Sequence, residues 1–206
     1  MDLNDIYLKI RRAQLDEAAN AGLATFLAER IPYLHPAIQL EQDPVAQLTR
    51  FVEAYIKQVP KLILDAAQHC TDCAPEHWLR QTLVTVRDVF RTSYKKGAGM
   101  RGMLGRAYLA HRIIEELNDR FIQQFGYTLV EPDLTRANLV AYQLLGEQAA
   151  GYLDQGVDLL TERLLQLDNV RLPVDEPEPN VRHVESWVQR SCLSSDSGLK
   201  LNWKEH

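Results

Sequence analysis

A cluster of lysine and arginine residues surrounds a glycine-rich turn near the middle of the chain. Six residues form this candidate anion site: Lys95, Lys96, Gly97, Gly99, Arg101 and Arg106. Glycines at the start of a helix leave backbone N–H groups unpaired, and the helix dipole favours an anion there. The pattern predicts a site for a phosphate, a carboxylate metabolite, an acidic peptide or a nucleic-acid backbone. The alternative is that the small residues let a neighbouring helix approach while the cations form a solvated face or meet the acidic segment 175–178.

The same turn matches a dinucleotide-binding motif by letter. GAGMRG at 97–102 has the G-x-G-x-x-G spacing. That motif requires a strand before it and a βαβ unit around it, and no strand pattern precedes Gly97. A P-loop is also excluded, because Met103 follows Gly102 where that motif has lysine. We therefore expect no nucleotide cofactor.

A second group of side chains shares the polar face predicted for the helix that follows the turn. Its members are Tyr108, His111, Arg112 and Glu115. A histidine oriented by a carboxylate one turn away can act as a general base. The alternative is an exposed i, i+4 pair that stabilises the helix by a few tenths of a kcal/mol. The sequence identifies no nucleophile near the pair, and the Glu-x-x-His repeat of di-iron bundles does not occur.

A short cysteine- and histidine-rich segment offers weak metal candidates. These are His69, Cys70, Cys73 and His77. Structural zinc sites draw their second ligand pair from a distant segment, and no second C-x-x-C occurs here. We expect a loop whose cysteines are small packing residues and no bound metal.

The elements that must position these groups are helical. Apolar residues recur at helical spacing along most of the chain, and strand-like alternation is confined to a short piece at 127–130. We predict an all-α bundle of about six or seven helices over residues 1–170. The helices are expected from Asp2, over 23–30, from Pro44 to 68, from Pro75 through Phe90, over 100–124, and from Leu134 towards Leu167.

From about residue 171 the composition changes. The segment RLPVDEPEPN carries three prolines and three acids, which favours an extended chain. We predict that residues 171–206 form an extended C-terminal tail with a short helix near Val184. Trp187 and Trp203 are expected to anchor it to its own domain or to a neighbouring subunit.

Charge and composition limit the classes of function. The formal net charge is −5, which argues against a nucleic-acid binder. Residues 80–112 nevertheless hold eight cations and one acid, a local excess of +7 that attracts anions. No apolar run approaches the ~20 residues that span a bilayer. The N-terminus lacks the pattern of a secretory signal, so we expect a cytoplasmic protein.

The preferred hypothesis is a non-enzymatic binding or interaction protein without a cofactor. It engages an anionic ligand or an acidic partner at the basic turn, and it forms a homo-oligomer or binds a protein partner. The alternative is an enzyme or small-molecule sensor with a pocket between helices near His111 and Glu115. A helix-turn-helix around the GAG turn is disfavoured by the net charge and by the length of the second helix.

Overall fold

The chain is described by a computed structural model that covers residues 3–41, 43–69, 76–91, 99–125, 128–130, 133–166 and 199–201. These residues form an all-α bundle, which confirms the predicted fold class. The described part of the chain contains seven α-helices: α1 Asn4–Asn20, α2 Gly22–Arg30, α3 Pro44–His69, α4 Glu76–Arg91, α5 Gly99–Phe125, α6 Thr135–Leu145 and α7 Glu147–Gln166. None of these helices combines the length and the apolarity that a membrane crossing requires.

Helix α5 is the centre of the bundle and packs against α1, α2, α3, α4, α6 and α7. Its apolar residues, such as Met103, Ile113 and Leu117, are buried as the sequence pattern predicts. The face of α5 that is predicted to be polar is not exposed to solvent as a polar face usually is. Tyr108, His111 and Glu115 on that face are also buried, because neighbouring helices cover α5 on nearly every side.

The last predicted helix is divided at Gly146 into α6 and α7. Gly146 has φ 85° and ψ 151°, a backbone conformation that only glycine adopts readily. A β-carbon at this position would lie 2.8 Å from Nη2 of Arg30. The same Nη2 donates a hydrogen bond to the carbonyl of Gln143 at 3.0 Å, so Arg30 supplies a cation to the C-terminal turn of α6. The break sets the direction of α7, which returns along α5.

The junction between α1 and α2 contains Ala21, whose backbone is in the left-handed helical conformation, and the carboxylate of Glu17. Ala21 has φ 46° and ψ 32°, and its N–H donates to the carbonyl of Glu17. The carboxylate of Glu17 in turn accepts hydrogen bonds from the N–H groups of Leu23, at 2.8 Å, and Ala24, at 3.2 Å. Glu17 therefore caps the first turn of α2.

The C-terminal segment adds a minimal sheet that the sequence pattern does not indicate. Strand β1, Ile38–Gln39, pairs antiparallel with β2, Lys200–Leu201. Leu199 is buried, and the ammonium of Lys200 lies 3.1 Å from the carboxylate of Glu41. Residues 199–201 therefore pack on their own chain. The predicted short helix, Trp187 and Trp203 lie outside the described residues.

The left-handed backbone conformation of Ala21 leads to a first prediction. Replacing Ala21 with Gly should raise the free energy of unfolding by about 0.5–1 kcal/mol, because a left-handed conformation costs an L-residue roughly 1–2 kcal/mol and glycine nothing comparable. Urea unfolding measures the change. Ala18→Gly, at an exposed position in the last turn of α1, is the control and should lower stability by up to roughly 1 kcal/mol. Equal losses in both variants would contradict the role of Ala21.

The break at Gly146 leads to a second prediction. Gly146→Ala should lower the free energy of unfolding by roughly 1–3 kcal/mol, since the new methyl group meets Arg30 and the backbone conformation is strained. Gly151→Ala is the matched control within α7, because no heavy atom lies within 4 Å of its added β-carbon. That control should stabilise the protein by about 0.5–1 kcal/mol. The prediction is wrong if both glycines tolerate alanine equally.

Candidate functional site

A cleft of about 230 Å³ opens between α5, α6 and α7. Helices α5 and α6 line it with side chains about one turn apart, which places them on one face of each helix, and α7 adds a single residue. The lining residues are Tyr108, Arg112 and Glu115 of α5, Thr135, Asn138, Leu139 and Tyr142 of α6, and Asp154 of α7. Three of the four residues of the predicted pocket therefore line this cleft, and His111 does not.

Arg112 joins two carboxylates across the cleft. Its Nε donates to Oδ1 of Asp154 at 3.2 Å, and its Nη1 donates to Oε2 of Glu115. Burial disfavours the charged guanidinium, but the hydrogen bonds to these two carboxylates and the charge of Glu115 outweigh burial and raise the pKa of Arg112. The cation is held in place and links α5 to α7.

Tyr108 also forms a hydrogen bond to the carboxylate of Asp154. Its hydroxyl donates to Asp154 at 2.9 Å from Oδ1 and 3.2 Å from Oδ2. Burial raises the pKa of the Tyr108 hydroxyl far above its usual value, and the hydrogen bond to Asp154 raises it further. Tyr108 therefore stays protonated and acts as a hydrogen-bond donor.

A buried chain of hydrogen bonds continues from Glu115 to α3. The Nδ2 of Asn138 donates to Oε2 of Glu115 at 2.8 Å, and the hydroxyl of Tyr55 donates to Oδ1 of Asn138 at 2.6 Å. Tyr55 is almost fully buried, and Asn138 is only 4% exposed. Buried polar groups that satisfy one another in this way hold each side chain in a single orientation.

His111 lies beneath the cleft and is fully buried. Its ring stacks on Tyr55, with the ring centroids 3.9 Å apart and an interplanar angle of 19°. Nδ1 lies 2.9 Å from the carbonyl of Ala107, which can only accept, so Nδ1 carries the proton. Nε2 has no hydrogen-bond partner among the described residues. Burial lowers the pKa of His111 to about 4, although the hydrogen bond to Ala107 opposes this, so the ring is neutral near pH 7.

The predicted pairing of His111 with Glu115 is not formed. No hydrogen bond joins the two side chains within the described part of the chain, and Oε2 of Glu115 is instead shared by Arg112 and Asn138. Their spacing of four residues places them on one face of α5, but each is drawn to a different neighbouring helix. The general-base arrangement, one of the two hypotheses for this pair, therefore lacks its orienting contact.

The described members of the predicted anion site have other contacts. Gly99 begins α5 with φ 70°. The guanidinium of Arg101 lies 4.5 Å from the centroid of the Phe26 ring, and Nη1 of Arg106 donates to the sulfur of Met103 at 3.5 Å. Five residues of helix separate Arg101 from Arg106 by about 140° around the axis. Lys95, Lys96 and Gly97 lie outside the described residues, so the anion site stays a prediction.

The metal candidates are only partly covered. His69 ends α3 and His77 lies in the first turn of α4, while Cys70 and Cys73 fall outside the described residues. Among the residues that are described, no group of three or more histidine, cysteine, aspartate or glutamate side chains has an arrangement that could hold a metal ion.

All five cleft residues on α6 and α7 are missing from the sequence-based prediction. One of them carries a signal in the sequence. Asn138 follows Leu134 by four residues and Ala137 by one, so an amide falls on the apolar stripe of α6. Asp154 has no such signal, because an acid beside Leu153 on an amphipathic helix resembles any solvated side chain.

Comparison of the chain with protein-family models, with curated proteins and with solved structures finds no match. The function must therefore be inferred from the cleft itself.

The buried imidazole leads to a third prediction. The folded pKa of His111, about 4, lies below the ordinary value of 6.5, so the unfolded chain takes up the proton first as the pH falls. Stability present above pH 6.5 should be lost towards pH 4, by about 3 kcal/mol from this group. His111→Phe keeps an aromatic ring against Tyr55 and should remove that part of the slope. Urea unfolding between pH 7 and 4 compares the two proteins, and an unchanged slope in the variant would contradict the prediction.

Proposed function

We propose that this protein is a non-enzymatic binding protein that takes a small molecule into the cleft between α5, α6 and α7. The proposal rests on the arrangement of Arg112, Glu115 and Asp154. These charged groups face a concave site, and the hydrogen bonds among them and to Tyr108 and Asn138 orient them before any ligand arrives. A preorganised polar cleft loses little entropy when it binds, which favours affinity and selectivity.

The size of the cleft limits the ligand. Pockets for drug-sized molecules measure roughly 300–1,000 Å³, and this cleft has about 230 Å³. A metabolite of a few heavy atoms is therefore the class that fits. Leu139 and the tyrosine rings supply apolar contacts beside the charged groups.

Binding is favoured over catalysis by the state of the titratable groups. His111 is neutral, stacked on Tyr55 and absent from the cleft lining. Tyr108 is held protonated by burial and by its hydrogen bond to Asp154. A general base or nucleophile needs a group that can gain or lose a proton near the working pH, and neither group meets that condition.

The basic turn is the weaker candidate site. Arg101 contacts Phe26 and Arg106 contacts Met103, so these cations do not converge on one point within the described structure. An anionic ligand, an acidic partner, self-association and a cytoplasmic location remain predictions from the sequence.

A cleft-blocking variant tests the proposal. Leu139 lines the cleft and is 43% exposed, so Leu139→Trp should fill the entrance without disturbing the core. In a thermal-shift screen of small metabolites, a ligand at 100 times its Kd should stabilise the wild-type protein by about 2.7 kcal/mol, or roughly 5–10 °C in Tm. Leu139→Trp should abolish that shift. Leu159→Trp, which places the same ring on the exposed face of α7, is the matched control and should keep it.

Two outcomes would count against the cleft. A ligand whose thermal shift survives in Leu139→Trp binds elsewhere on the protein. A broad metabolite screen that produces no shift in the wild-type protein would leave the cleft without a ligand.

A further inference from the structure

We infer that the ligand of this cleft is a small organic amine, bound as its ammonium cation. The inference rests on the proposed function, because it names the chemical class that the same cleft would take. Three observations support it: the net negative charge of the lining residues, a carboxylate oxygen of Glu115 that accepts no hydrogen bond from the described residues, and two tyrosine rings in the lining.

The described lining residues carry more negative than positive charge. One guanidinium, Arg112, stands against two carboxylates, Glu115 and Asp154, so the formal net charge is −1. Arg112 already binds both carboxylates, so little of its charge is left for an incoming anion. In a partly buried site of lowered dielectric, an unbalanced negative charge favours a cation and disfavours an anion.

Glu115 supplies an acceptor that the protein does not use. Its Oε2 accepts from Arg112 and Asn138, whereas Oε1 accepts no hydrogen bond from any described residue. The residue is only 9% exposed and lines the cleft, and Oε1 is not fully enclosed by the protein, so a molecule that enters the cleft can reach it. A carboxylate oxygen that accepts no hydrogen bond from the protein is available to an N–H donor that enters the cleft. An ammonium group brings three such donors and the compensating charge.

Two aromatic rings lie beside these carboxylates. Tyr108 and Tyr142 have ring centroids 6.5 Å apart and planes tilted by 58°. The negative face of an aromatic ring attracts an ammonium group within about 6 Å of its centroid. Carboxylate oxygens together with aromatic faces form a recurrent arrangement for organic cations, and Leu139 can cover the alkyl part of the ligand.

A series of probes with equal size and different charge tests the inference on the wild-type protein. The probes are n-butylamine, n-butanol and butyrate, each titrated at pH 7 and followed by NMR chemical-shift changes. The amine should bind at least roughly tenfold more tightly than the alcohol or the carboxylate, because only the amine balances the lining charge. Its affinity should fall as salt is raised, since salt screens the attraction.

Charge-removing variants locate the effect. Glu115→Gln and Asp154→Asn each bring the formal lining charge to zero, and each should weaken n-butylamine binding by roughly tenfold or more. Asp158→Asn makes the same change at an exposed position of α7 one turn further on, outside the cleft lining, and should bind the amine like the wild type. Circular dichroism confirms that each variant is folded, and the charge series on the unmodified chain does not depend on that result.

The outcomes separate this inference from the proposed function. If n-butanol or butyrate binds as tightly as the amine, and Leu139→Trp blocks that binding, the amine inference is overturned while the cleft remains a ligand site. Amine binding that is equal in Asp154→Asn, Glu115→Gln and Asp158→Asn also overturns the inference. If no probe of any charge binds in a way that Leu139→Trp abolishes, and the metabolite screen also fails, the proposed function is overturned.

Discussion

The structure depends on the burial of a helix that is not purely apolar. Helix α5 packs against six other helices, yet it carries Tyr108, His111, Arg112 and Glu115 along one face. Removing such groups from water without partners would cost several kcal/mol. The neighbouring helices must therefore supply partners, and the positions of α3, α6 and α7 follow from that requirement as well as from apolar packing.

Three of these helices, α3, α6 and α7, each place one polar side chain against this face, and Nε2 of His111 is left without a hydrogen-bond partner among the described residues. Tyr55 of α3 stacks on His111, Asn138 of α6 bonds to Glu115, and Asp154 of α7 bonds to Tyr108 and Arg112. A network of this kind contributes less to stability than apolar packing of the same volume. It does define a single arrangement of the helices, and it leaves charged groups oriented at the cleft that we propose as the ligand site.

Two local backbone features, the helix break at Gly146 and the junction at Ala21, set the directions of the helices that form this network. The break at Gly146, braced by Arg30, turns the chain so that α7 brings Asp154 back to α5. The junction at Ala21, capped by Glu17, turns α2 so that it packs on both α3 and α5. In both places an ionised side chain satisfies backbone groups that helix ends leave unpaired. The helix ends and the cleft are thus built from the same kind of contact.

Helical periodicity in the sequence was sufficient to predict the all-α class, the approximate helix positions and three of the cleft residues. That information is local, because residues three and four apart share a helix face whatever surrounds them. The sequence could not show that the polar face of α5 is covered, that His111 stacks on Tyr55, or that Asp154 reaches Arg112 from 42 residues away. Those contacts exist only after α6 and α7 have folded back, since they depend on the backbone break at Gly146 and on which helix covers which face. The fold class could therefore be predicted from the sequence alone. The site was decided by tertiary packing, because the residues that form it and their hydrogen-bond partners come from four helices that no local sequence pattern connects.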